Sequence, residues 1–255
     1  MSKRKLILRT AALLFCTLII IFLLPERRNQ IKTPHFTFNF SAGIAPSTLS
    51  VLTSSLEENY GKIGNDLKTD PASNIEVNLY SRRWRYVKAT GNWSASGSIE
   101  GISRLHFVEQ AWGEPDINKV AIHEFAHTVT LKLLVDNEPQ PLDAKVFDRK
   151  FAGFPTWLWE AISVYEAGQF VEPKTLAFLK VGSYPTIAEL NQLSKGGKVY
   201  KVGYTIVEYI LSKHGQDKLI ELVKNYGNLA KTFGITDEQF CKEWHAFVRE
   251  KYQVS

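Results

Sequence analysis

His123-Glu124-Phe125-Ala126-His127 is a run in which three of five side chains can do acid-base or metal chemistry. Val120, Ala121, Val129 and Leu131 around it predict a helix, about Ile117 to Val135. On a helix, positions i and i+4 share a face one turn apart, so both imidazoles can reach one zinc ion while the glutamate projects beside them. Zinc would activate a water, Glu124 would take its proton, and the hydroxide would attack a carbonyl. The helix is too apolar for a surface position. His123, Glu124 and His127 are therefore expected to be buried polar groups that need partners, and a metal supplies them.

A catalytic zinc keeps three protein ligands and one open position. The arrangement with a third histidine six residues on is excluded, because Thr130 and Leu133 occupy the places of its glycine and histidine. The better candidate is Glu160, in the next apolar helix, Pro155 to Ala167, which Gly168 stops. Glu166 is its competitor. Six residues turn a helix by about 600°, or 240° after one full turn, so only one of the two can face the zinc. Glu160 is the choice, and Glu166, near the helix end, is expected to be solvated.

Trp157-Leu-Trp-Glu-Ala-Ile-Ser-Val-Tyr165 resembles the ligand helix of the gluzincin (thermolysin-like) metallopeptidases, commonly W-L-x-E-G-x-A-x-Y. A closer resemblance is to the small peptidase-MA-like bacterial proteins, through the strand His35 to Phe40 and the helix with Tyr200-x-x-Gly-Tyr204. The resemblance spans roughly His35 to Tyr252. It implies zinc on His123, His127 and Glu160, Glu124 as general base, and a tyrosine from a late helix as oxyanion donor, for which Tyr204 is the choice and Tyr200 lies one turn away. It also implies an edge strand, here about Ile102 to Val108, that pairs with the substrate backbone. Two positions depart from the pattern. Val164 stands where thermolysin has an aspartate that orients a zinc histidine, and Ala161 stands where many relatives have glycine.

The elements around these residues follow from periodicity. Phe36, Phe38 and Phe40 alternate as in a half-buried strand. Leu49, Leu52, Leu56, Tyr60 and Ile63 recur at helical spacing after Pro46, and Ile75, Val77 and Leu79 alternate again. From Ile117 onward the pattern is helical, with three helices expected after Gly168. The last is opened by Thr236 with Gln239 and carries Phe240, Trp244 and Phe247 on one stripe. The expected fold is α+β: a small N-terminal sheet, then a mainly helical half that carries the zinc helix. Trp112, Trp157 and Trp159 are expected in its core. The other histidines are His35, His106, His214 and His245. None stands out, and His214 fits a structural place at a helix end.

The chain has 255 residues, 44% hydrophobic and 22% charged, which excludes disordered, collagen-like and multi-span membrane classes. Cys16 and Cys241 are too few for a disulfide scaffold. Residues 6–24 are apolar apart from Arg9, long enough to span a bilayer, and Pro25-Glu26-Arg27-Arg28 follows in place of a small-residue cleavage site. That predicts a basic tail over 1–5, an uncleaved anchor over 6–24, a linker over 25–33 and a metallopeptidase domain over 34–255. The protein is then expected in the cell membrane, single-pass, with its catalytic domain outside the cytoplasm and a peptide or protein as substrate; secretion after cleavage is the alternative. The net charge of +5 owes much to Lys3, Arg4, Lys5 and Arg9, and the rest is mixed in sign, so no nucleic-acid partner is expected. The rival to an enzyme is an inactive peptidase-like binding module with a structural zinc, favoured by the missing aspartate and disfavoured by Glu124.

Overall fold

The structure, a computed structural model, describes residues 28–109, 116–195 and 197–254. The apolar segment at 6–24 and Trp112 lie outside the described residues. Among those described, no helix is long and apolar enough to cross a membrane.

The fold is α+β, a five-stranded sheet followed by helices. In spatial order the strands are β1 (Arg28–Lys32), β2 (Phe36–Ser41), β3 (Ile75–Tyr80), β5 (Arg104–Val108) and β4 (Gly97–Glu100). The three central strands run parallel, and β1 and β4 are antiparallel edges. Alternation along each strand separates two faces. Phe36, Phe38, Ile75, Val77, Leu79, Leu105 and Phe107 are fully buried or nearly so. They share one core with Leu52, Leu56 and Ile63 of α1 (Pro46–Asp66) and with Ala121, Phe125 and Val129 of α3 (Ile117–Asp136). Asn39, Glu76, Asn78 and Arg104 form a hydrogen-bonded polar layer on the strands.

One expectation about this sheet needs correction, and a short helix, α2 (Arg83–Thr90), closed by Gly91 in the left-handed conformation, φ +71°, adds to it. The strand within Ile102–Val108 is no edge: β5 is flanked by β3 and β4, so the free edge on that side belongs to Gly97–Glu100. Alternation of Leu105 and Phe107 marks a strand but says nothing about its neighbours.

The helical half comprises α4 (Ala144–Phe151), α5 (Thr156–Glu166), α6 (Val199–His214), α7 (Gln216–Lys224), α8 (Leu229–Phe233) and α9 (Asp237–Tyr252), with one-turn segments between α5 and α6. Four helices thus follow those segments where periodicity suggested three. The Thr236 hydroxyl caps α9 by accepting from the Gln239 amide. Packing of α5 against α6 is close: a Cβ at Gly203 would lie 2.9 Å from the Ala161 Cα, so this crossing admits only the smallest residues. The contact sets how far α6 is slid along α5, and the candidate site depends on that.

Candidate metal centre

Asp116 caps α3 through the Asn118 amide, and one turn separates His123 from His127 on the helix face turned toward α5. Their rings stand 4.7 Å apart, nearly perpendicular. Pro155 begins α5 with the extended backbone a helix start requires, and its second turn delivers Glu160. The Glu160 Oε2 lies 3.1 Å from the His123 Nε2 and 3.7 Å from the His127 Nε2. One donor atom from each residue falls within 4.8 Å of the others, and all three residues are buried.

The chemistry of this donor set fits a metal. Two imidazole nitrogens and a carboxylate oxygen are a familiar zinc set, and the outer nitrogen of each ring is already committed. The His123 Nδ1 meets the Gln169 Oε1 at 2.9 Å, and the His127 Nδ1 meets the Ser163 Oγ at 2.8 Å. With a proton on each Nδ1, held by those partners, each Nε2 would be free to give its lone pair to a metal in place of its hydrogen bond to Glu160. The rings are thus held by a hydroxyl one residue before Val164 and an amide five residues after it.

Electrostatics among the side chains set the protonation of the site without a metal. Burial raises the Glu160 carboxyl, but hydrogen bonds and charge from His123 and His127 outweigh it and hold it at about 2. Burial takes His127 down to about 4, so its ring is neutral at physiological pH, the form a ligand needs. For His123 burial acts the same way, yet the two glutamates beside it pull it above the usual value. Glu124 goes the opposite way to Glu160: burial raises it to about 7, with His123 opposing and Glu160 reinforcing.

Glu124 also touches the sheet edge. A Cβ at Gly97 would lie 2.5 Å from the Glu124 Cγ and 2.9 Å from its Oε1, so β4 lies against this carboxylate because residue 97 has no side chain.

Tyr204, the expected oxyanion donor, faces other rings. Tyr204 packs on Tyr165 and Phe170, with ring centroids 4.9 and 5.1 Å away. It is Tyr200 that sits 6.3 Å from the His123 ring. Burial, and then the charges of Glu160 and Glu124, push its phenol well above the usual tyrosine value. The two tyrosines point to similar sides of α6 but differ by one turn, about 6 Å along the axis. Only the sliding of α6 on α5 decides between them. No sequence signal separated them.

Two other expectations bear on the site. Trp159, expected in the core, is partly buried against it and also stacks on His127, centroids 4.3 Å apart and 11° from parallel; Trp157 is buried against Phe240, as expected. Glu166 is not solvated: it is buried and bonded at 2.9 Å to Lys62 of α1, turned away from the histidines. The remaining histidines have local contacts, His35 with Glu57, His106 with Tyr80, His214 with Phe233 and His245 with the Pro185 carbonyl.

No family model matches the chain, and no curated protein is similar to it at a significant level. Among solved structures, the crystal structure of an aminopeptidase N family protein from Idiomarina loihiensis is a distant neighbour, with 13% sequence identity and a TM-score of 0.39. The overlap covers 89% of this chain and 42% of that one, so the chain spans less than half of that protein's length.

Proposed function

We propose that the chain is a zinc metallopeptidase, hydrolysing peptide bonds of a peptide or protein outside the cytoplasm and anchored in the membrane by residues 6–24. The observation that carries the reading is the convergence of His123, His127 and Glu160 on one buried point, with the half-buried Glu124 beside them on the same helix as the histidines.

Held by His123, His127 and Glu160, a zinc ion would supply Lewis acidity, making a water nucleophilic at neutral pH and polarising the scissile carbonyl. Glu124 does the proton work. Next to the ligands on α3 and half-buried, its carboxylate can accept the proton of the attacking water and then pass it to the departing amine nitrogen. Tyr200, kept protonated by the negative charges around it, donates to the oxygen that gains charge as the carbonyl carbon becomes tetrahedral. The outer edge of β4 presents backbone amides and carbonyls beside Glu124, and an extended substrate can add to it as a further strand. The inactive-module alternative rested on the absent aspartate, and Ser163 and Gln169 remove most of that support.

The test is Glu124→Gln in the full-length protein. The ligands are untouched, so elemental analysis should still find one zinc per chain, while cleavage of a peptide library should fall by about 10²–10⁴-fold, the span general acid-base groups contribute. Equal turnover by mutant and wild type would remove Glu124 from the mechanism. In intact cells, a membrane-impermeant protease should reach the domain from outside; protection would contradict the placement.

A further inference from the structure

We propose that Gln169 is a positioning residue of this centre, setting through His123 how tightly the metal is held, and that with Ser163 it makes an outer layer of partners without charge. The inference rests on the metallopeptidase reading of the same site.

Gln169 reaches His123 because α5 ends as it does. Gly168 takes the left-handed conformation, φ +58°, in open space, so its role is backbone freedom and not close packing. That turn lets the Gln169 amide bond back to the Val164 carbonyl at 3.0 Å. The side chain is thereby sent back across to α3, to a histidine 46 positions earlier in the chain.

The amide can face His123 in only one productive way. With the oxygen toward the ring, Nδ1 carries a proton and Nε2 has a free lone pair. With the NH₂ turned inward, Nδ1 must accept, the proton moves to Nε2, and the nitrogen facing Glu160 can no longer ligate. Observed placement of the Oε1 at 2.9 Å is the productive one. Charge explains why an amide suffices. Zinc carries two positive charges, and two carboxyl side chains, Glu160 and Glu124, already stand at the histidines; a third would be in excess. A hydroxyl at His127 and an amide at His123 orient both rings and add no charge. They also draw less on the Nδ1 protons than carboxylates would, leaving each Nε2 a weaker base and the ion easier to exchange.

Zinc chloride titrated against a chromophoric chelator, with the full-length protein in detergent, tests this on wild type, Gln169→Leu and Gln169→Glu. Loss of the acceptor in Gln169→Leu should weaken zinc binding by about 10–100-fold, the usual cost of removing such a partner. The near-isosteric Gln169→Glu should restore or exceed wild-type affinity. Metal-free melting midpoints of the three proteins should agree within a few degrees. Unchanged affinity in Gln169→Leu overturns the proposal, as does an equal loss in both variants, which would mean packing alone. A wild type that takes up no zinc overturns the metallopeptidase reading too, and the wild-type titration shows which of the two has failed.

Discussion

Helix α5 buries two carboxylates, Glu160 near its middle and Glu166 at its C-terminal end, both 7% exposed. Burial alone would raise both groups. Glu160 nonetheless ends at about 2 and Glu166 at about 7. The difference lies in the partners. Glu160 faces two buried imidazoles whose Nε2 atoms point at it and whose outer nitrogens are fixed by Gln169 and Ser163. Glu166 has one ammonium, Lys62, which is half exposed and also bonded to Asp66 at 2.8 Å. A shared, solvent-screened cation offsets little of the cost of burying charge. Only Glu160 therefore offers a lasting negative charge to a dication.

The sharpest way to break this contrast is to truncate one glutamate at a time. Glu160→Ala should lose zinc at stoichiometric metal and all measurable peptide hydrolysis, while Glu166→Ala should keep zinc in full. Elemental analysis and a metal titration of the two proteins check it, and the reverse pattern would move the site to the Lys62 end.

A smaller effect is expected one helix away, where two tyrosines repeat the contrast. Tyr200→Phe should lower kcat on the order of 10²-fold, the loss typical of one oxyanion donor. Tyr204→Phe, changed among Tyr165 and Phe170, should leave kcat within about twofold, as an exchange that conserves ring volume usually does. Steady-state kinetics on a single peptide decide it. Similar losses in both would mean that neither phenol is the donor.

Least in size is a pH effect on stability at Glu166. Its folded value lies above the 4.5 of an ordinary glutamate, so the folded state binds this proton more tightly than the unfolded chain does. Its contribution is most favourable below about 4.5, declines as pH rises toward 7, and is level beyond. Glu166→Gln has no such decline. The melting temperature of wild type relative to Glu166→Gln should therefore fall between pH 5 and pH 8, by roughly 3–8 °C for a change of order 1–3 kcal/mol. A difference constant with pH would show that Lys62 compensates the burial completely.

What could be read from the sequence was what local periodicity governs. The spacing of His123 and His127 puts them on one helix face whatever surrounds that helix, and the 240° between Glu160 and Glu166 ensures that they look in different directions. Alternating Phe36, Phe38, Ile75, Val77 and Leu79 marked two strands in the same way, and Gly168 marked a helix end. Everything that joins one element to another had to wait for the tertiary structure. Which strand is the edge, whether Tyr200 or Tyr204 meets His123, and which groups hold the histidine rings are questions about relative position. These depend on strand order, on the sliding of α6 along α5 at Gly203 and Ala161, and on the turn that returns Gln169 to α3. Periodicity carries the angle around a single helix axis or strand but not the distance between two of them, which is settled by close packing of residues far apart in the chain.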